Sequence, residues 1–390
     1  MASIRTSSLT KDFGDLRAIN EIDLDMPEVT RKETKVATPV ANRVRSASTM
    51  RAVVQGVYGG PDRLRLSDVE APTLAADSVL VSMHASSVNM ADRLIMRGMP
   101  YIMRVVGGSL GFGLRGPKPA VRGIDVAGRV EAVGDGVSRL RVGDEVYGES
   151  AGSFAELLCA PERVLGLKPS NLTFEQAAAM PVAAITALQG IRDHARAAPG
   201  RHILVNGASG GVGHFAVQIA KALGAEVTGV ASTRNAAMVR SLGADHVIDH
   251  TVADFTDGGP RYDAILDLVG NHAPARIRRA LRPNGILVLS YVGPNRWVGP
   301  LARMLSAKLT SRFQDKKTVA FTAITNPEDL AVLKALAEAG QLAPVIDRTF
   351  PLSEAMDAIG YLESGRHRGK VVISIYGVSR VVSGRVTVQS

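Results

Sequence analysis

The segment Arg201–Thr233, R-H-I-L-V-N-G-A-S-G-G-V-G-H-F-A-V-Q-I-A-K-A-L-G-A-E-V-T-G-V-A-S-T, decides the fold. Ile203, Leu204 and Val205 form a short apolar run, the pattern of a parallel strand buried on both faces. Gly207, Gly210, Gly211 and Gly213 follow at once. Phe215, Ala216, Ile219, Ala220 and Leu223 then recur at the spacing of one helix face. Gly224 stops that helix, and Glu226–Ala231 reads as the next strand. Strand, glycine turn, helix and second strand thus fall within one unit of about thirty residues.

Such a turn has a physical use. The first amides of a helix lack intrahelical partners, and with the helix dipole they favour an anion. A diphosphate can reach them only where no side chain holds the backbone away. Ala208, Gly210 and Gly213 take the G-x-G-x-x-G spacing, with Ala in the first place. Ser209, Gly211 and Val212 complete the proposed cradle. After the second strand come Ser232, Thr233, Arg234 and Asn235. An acidic residue that would accept from ribose hydroxyls is missing from this stretch. Ser232 and Thr233 are donors, and the Arg234 guanidinium suits a phosphate. The expected cofactor is therefore NADPH rather than NADH.

The chain has 390 residues, enough for two domains. No stretch is apolar enough to cross a membrane. A single cysteine, Cys159, excludes an internal disulfide and a cysteine-rich zinc site. The default setting is reducing and cytoplasmic. The formal net charge is +9, but the basic residues are scattered. The densest group, Arg276, Arg278, Arg279 and Arg282, fits the solvated side of a helix, and nucleic acid is not an expected partner.

Residues 1–49 are polar and of mixed charge. They read as an extension outside the folded domains, probing neither as signal nor as transit peptide. From Met50 the chain is a series of short strands between Gly, Pro and Asp turns: Met50–Val57, Leu64–Val69, Ser78–Ala85, Gly123–Val133 and Asp144–Tyr147. Asn89–Arg97 has helical character, and Met99–Ala120 reads as a loop over the site. Thr173 and Gln176 form a capping box, Met180-Pro181 breaks the helix, and Val182–Ala195 reads as the next one. Beyond the glycine unit, strands (246–248, 264–268, 286–291) alternate with helices (235–242, 273–281), which predicts a doubly wound parallel sheet. Asn326 and Pro327 open a further helix. Val371–Ile375 is a last strand, expected to join the N-terminal sheet. Residues 377–390 are a loose end.

Several quotable motifs, in order, resemble the medium-chain dehydrogenase/reductase superfamily in its zinc-independent, quinone-oxidoreductase-like branch. They include S-S-V-N-M-A-D, G-I-D-V-A-G-R-V-E-A-V-G, A-A-A-M-P-V-A-A-I-T-A-L-Q-G and N-G-A-S-G-G-V-G-H-F-A-V-Q-I-A-K. The resemblance covers about residues 50–376. It implies an α/β protein: a GroES-like β domain from residues 50–172 and 325–376, and a Rossmann domain over residues 173–324, with the cofactor between them. Edge-to-edge pairing of such Rossmann sheets implies a homodimer. Zinc-dependent members use a Cys near Asn89 and a Gly-His-Glu near Gly123-Ile124-Asp125. With no Cys at Asn89 and no His at Ile124, and Asp125 in place of the usual Glu, three good ligands cannot be assembled, so no metal is expected.

Without a Lewis acid, hydride transfer from NADPH needs an activated acceptor, a quinone or an α,β-unsaturated carbonyl. Asn89, from its place in V-N-x-x-D, is the expected group near the nicotinamide. Asp92 braces that loop, Tyr101 is a candidate donor, and Thr186 is a candidate cofactor contact. An enoyl-thioester reductase and a non-enzymatic NADPH-binding protein remain as alternatives.

Overall fold

The computed structural model describes residues 49–108, 112–118, 120–258, 261–290 and 316–375. The expected extension up to Ser48, the tail at 377–390, Tyr291 and the stretch 291–315 lie outside them.

One sheet is parallel throughout. Its strands run in the order His246–Asp249, Glu226–Ala231, His202–Asn206, Tyr262–Asp267, Leu281–Leu289 and Lys317–Ala320. In chain order that is 3-2-1-4-5-6, the doubly wound arrangement. The order reverses between His202–Asn206 and Tyr262–Asp267, so the carboxyl ends of these two strands flank a crevice. Asn206 Nδ2 donates to Asp267 Oδ1 across it at 2.8 Å. The apolar run Ile203–Val205 is buried on both faces, as a central parallel strand must be.

The second sheet is mostly antiparallel. Its order is Ile346–Pro351, Lys370–Ser374, Ser78–Val88, Asp125–Val133, Glu145–Glu149 and Leu165–Leu167, with Leu157–Pro161 also pairing with Ser78–Val88. The late strand Lys370–Ser374 lies antiparallel to Ser78–Val88, with Val371 opposite Val88. The C-terminal part of the chain thus completes a sheet begun by the N-terminal part. Between the sheets, Tyr147, Ile185, Leu188, Leu330 and Leu333 share one core. The buried Tyr147 hydroxyl donates to the Leu330 carbonyl at 2.6 Å.

Helix ends follow local chemistry. Thr173 and Gln176 exchange their two capping bonds, and the helix Phe174–Ala178 stops before Pro181, which opens the next helix. Asn326 caps Pro327–Glu338 by accepting from the Asp329 amide at 2.7 Å. One expectation needs correction. Val182–Ala195 is not a uniform helix: an α-helix spans Pro181–Leu188 and a π-helix spans Gln189–His194. The wider turn accompanies Gly190, whose missing Cβ would stand 3.2 Å from Phe321 Cζ. The loop Met99–Ala120 carries a short helix, Met103–Val106.

Candidate active site

The glycine turn leaves the carboxyl end of His202–Asn206 and enters the helix Gly213–Ala222. Gly207 has φ +89°, a left-handed conformation that favours glycine. A Cβ on Gly213 would lie 2.0 Å from the Gly207 carbonyl oxygen and 2.8 Å from Ala208 Cα, so helix and turn can pack this closely only with glycine there. Above Gly210 and Gly211 the backbone is bare. A Cβ there would come no nearer to a neighbour than 3.3 Å and 3.4 Å. Among the described residues, the amides of Gly211, Val212 and Gly213 have no backbone acceptor. A side-chain-free turn with unspent donors at a buried helix start is a fit for a dinucleotide diphosphate.

The rest of the predicted cradle is close by. Ala208 is fully buried, and its amide donates to the Val230 carbonyl at 3.0 Å. The Ser209 hydroxyl accepts from Asn235 Nδ2 at 3.1 Å. Ser232 is half-buried at the end of Glu226–Ala231, while Thr233 and Arg234 are exposed beyond it. Arg234 Nη2 donates to the Arg366 carbonyl at 3.1 Å. An acid missed by the sequence reading stands on the next strand. Asp249 pairs in register with Ala231, and the hydroxyls of Thr233 and Thr251 hold its carboxyl down at about 2.

The antiparallel sheet meets the turn through its late strand. The Gly369 amide donates to the Ser209 carbonyl at 2.8 Å. The next residue, Lys370, is only 3 % exposed, and its Cδ would touch a Cβ on Gly211 at 3.5 Å. Lys370 Nζ donates to Asn89 Oδ1 at 2.5 Å and to Asp125 Oδ2 at 3.2 Å. Asn89 Nδ2 donates to the same Asp125 oxygen at 2.8 Å. Both ends of the Asn89 amide are therefore engaged. Asp125, fully buried, also takes the Ser87 hydroxyl and, through Oδ1, the Val182 amide at 2.9 Å. That last bond serves the start of Pro181–Leu188, where Met180 has no acceptor to offer. Lys370 was not a sequence-derived candidate. Its partners Asn89 and Asp125 lie 281 and 245 residues away, beyond the reach of any local motif.

Asp92 Oδ2 accepts from the Asn89 amide at 2.8 Å, while Oδ1 has no hydrogen-bond partner. Burial pushes the Asp92 carboxyl up to about 7, against the pull of the buried Arg122 guanidinium. Glu149 is likewise pushed up to about 7 by burial, with Asp125 adding to the effect. In the first turn of Gly213–Ala222, burial lowers His214 to about 4; its Nδ1 bonds the Gly210 carbonyl at 3.0 Å and its buried Nε2 has no partner. Thr186 is half-buried, its hydroxyl donating to the Val182 carbonyl at 2.6 Å. Tyr101 is placed differently, half-buried in the turn before Met103–Val106, with the Arg104 guanidinium over its ring at 4.7 Å.

Asp92 yields a pH prediction. An unfolded aspartate titrates near about 3.9. Between there and about 7 the folded chain keeps a proton that the unfolded chain has released. This group therefore makes stability fall as pH rises through that window and level off above it. In Asp92→Asn the component is gone. The wild-type unfolding free energy minus that of the variant should fall by up to about 1.4 kcal/mol per pH unit across the window. Urea denaturation at about pH 5 and about pH 8 reads it. A difference that stays flat, or rises with pH, contradicts a protonated Asp92.

Comparison with known proteins agrees with this architecture. Residues 75–184 match the alcohol dehydrogenase GroES-like domain, and residues 242–373 match a family described as zinc-binding dehydrogenase. The chain is 33 % identical to a 2-methylene-furan-3-one reductase of Solanum lycopersicum, over 88 % of this chain and 84 % of that one. It is also 33 % identical to an NADPH-dependent alkenal/one oxidoreductase of Arabidopsis thaliana, over 83 % of this chain and 79 % of that one. The solved quinone oxidoreductase of Coxiella burnetii superposes with a TM-score of 0.72 at 30 % identity, covering 84 % of this chain and 99 % of that one. No helix among the described residues is long and apolar enough to cross a membrane. A bare glycine turn at the switch point of a 3-2-1-4-5-6 sheet, joined to a GroES-like sheet and matched by these relatives, makes the chain an oxidoreductase of the NAD(P)(H)-using medium-chain dehydrogenase/reductase superfamily, in its quinone-oxidoreductase-like branch.

Proposed function

We propose that the chain uses NADPH to reduce quinones or α,β-unsaturated carbonyl compounds, and that it does so without a metal ion at its site. The observation that carries this reading is Lys370, buried beside the glycine turn and bonded to Asn89 and Asp125. A zinc ion near Asn89 would sit against an ammonium group. Its ligands would be an amide already engaged at both ends and a carboxylate already paired. This donor set does not fit zinc.

The residues present do fit a dinucleotide. The amides of Gly211, Val212 and Gly213 are placed to bind the diphosphate. Ser232, Thr233 and Arg234 are the donors we assign to an adenosine phosphate. When bound, the reduced nicotinamide supplies a hydride to the acceptor. Lys370 contributes a fixed positive charge where the two sheets meet, and it orients the Asn89 amide. Asp92 holds the Asn89 backbone from below. Fixed charge and dipoles of this kind stabilise negative charge developing on an acceptor oxygen.

The test follows NADPH absorbance with a panel of quinones, enones and enoyl thioesters, using NADH as control and EDTA-treated protein. The expected result is oxidation that depends on a quinone or enone and survives EDTA. NADPH should be preferred by about tenfold or more in kcat/KM, the worth of one charge-assisted contact. Turnover of enoyl thioesters alone, or activity only after zinc is added, overturns the reading.

A further inference from the structure

Three neighbouring strands of the parallel sheet begin with ligand-bearing side chains. His202, Glu226 and His246 each open their strand. The register pairs His202 with Glu226, and His246 with Thr228 two residues further on. Alternation along a strand puts Glu226 and Thr228 on one face, so all four side chains gather on that face of the sheet's amino edge. His246 Nε2 lies 2.8 Å from Glu226 Oε1, and His202 Nδ1 lies 3.8 Å from Glu226 Oε2. One ligand atom from each residue falls within 4.8 Å of the others. The strand His202–Asn206 has 5 residues, so this cluster stands about 16 Å from the glycine turn at its other end.

We propose that His202, Glu226 and His246 form a second site, for a divalent transition-metal ion of the zinc class. Two imidazoles and a carboxylate form a ligand set that zinc accepts, with water completing the shell. Bonds of about 2.0–2.2 Å in a tetrahedral shell hold ligand atoms about 3.3–3.6 Å apart, a range bracketed by the 2.8 and 3.8 Å spacings above, so small rotamer shifts bring the three atoms to it. The His202 ring is already fixed for the task. Its Nε2 lies 2.8 Å from Thr228 Oγ1, and a hydroxyl accepting there turns the Nδ1 lone pair toward Glu226. Metal-bound histidines are oriented by such a partner on the other ring nitrogen. The side chains of His246 and Glu226 are 57 % and 50 % exposed, so an ion has an open path and both can adjust their rotamers. A bound ion ties the starts of three strands together, and it does so away from the dinucleotide turn.

The experiment uses the full chain, stripped with chelator and dialysed. Zinc chloride is titrated by calorimetry, and cobalt(II) is followed by its visible absorption. One zinc per chain should bind at this site, with a cobalt spectrum of low coordination number. His246→Ala and Glu226→Gln alter exposed side chains, so both variants should fold. Each should weaken zinc binding more than about tenfold, and Thr228→Val should weaken it about tenfold, as loss of a ligand-orienting partner does. Cys159→Ser should bind as the parent does. A parent that binds no zinc, or variants at 246 and 226 that bind it unchanged, overturns the proposal.

Discussion

Replacing Gly213 by alanine is expected to lower the unfolding free energy by about 3 kcal/mol, at the upper end of the range for forced overpacking. The added methyl would meet the Gly207 oxygen at 2.0 Å and Ala208 Cα at 2.8 Å. Both are backbone, so no side chain can rotate away. The helix cannot simply back off, because residues Gly213–Ala220 are buried against the sheet. The strain must then open the turn and displace the free amides of Gly211–Gly213. Each charge-assisted bond to a diphosphate is worth about 1.5–3 kcal/mol, so loss of one or two should weaken NADPH binding by about 10- to 1,000-fold or more. Gly211→Ala is the control for folding. Its methyl would meet nothing nearer than 3.4 Å, and stability should stay within about 0.5 kcal/mol. Urea denaturation and calorimetric NADPH titration read the two effects. A Gly213→Ala chain with unchanged stability and affinity would show that the close approach is not required.

What the sequence made legible was local. The strand and glycine turn at Ile203–Gly213 could be read because burial on both faces and bare backbone each leave a compositional mark. The Thr173 and Asn326 caps could be read because a side chain two or three residues from an amide is a short-range signal. The late strand needed a sheet to join, and the family resemblance implied a β domain built from both chain ends; the pairing of Val371 with Val88 is where it joins. Other features were not legible, each for a definable reason. The π-helix Gln189–His194 holds one large apolar residue, Ile191, so its sequence offers no period that separates it from an α-helix, and the approach of Gly190 to Phe321 is a tertiary feature. The strand Ile346–Pro351 carries Asp347, Arg348 and a terminal proline, which weaken its strand pattern. The acid Asp249 reaches the Thr233 region from a neighbouring strand, so a search along Ser232–Asn235 could not find it. Asn89 is a proposed site residue from its place in V-N-x-x-D, but its environment was not legible. The pairing that fixes it comes from Lys370 and Asp125, and nothing in either local stretch announces the other.

That pairing leads to the second large effect. Lys370→Met keeps much of the side-chain volume but leaves Asp125, which is 0 % exposed, with no counter-charge. Breaking a buried ion pair from one side typically costs about 3–5 kcal/mol, because the remaining charge is stranded. Asp125 still holds its bonds from Ser87, Asn89 and the Val182 amide, and these place the expected loss near the lower end, about 3 kcal/mol. Adding Asp125→Asn to Lys370→Met should restore part of it. The stranded charge disappears, and with Lys370 gone the Asn89 amide is free to turn its oxygen toward the new amide nitrogen. The double variant should therefore be more stable than Lys370→Met alone by about 1–2 kcal/mol, whereas Asp125→Asn alone, which strands the ammonium, should be less stable than the parent; the difference between these two effects is the coupling. The cost that remains is the lost packing of the Lys370 side chain, whose Cδ would stand 3.5 Å from a Cβ on Gly211. NADPH affinity should stay low in both variants, because neither returns a positive charge to the cleft. Urea denaturation of the four chains gives the coupling term directly. If the two substitutions simply add, the ammonium and carboxylate are not the pair that holds this junction, and the place given to Lys370 in orienting Asn89 falls with it.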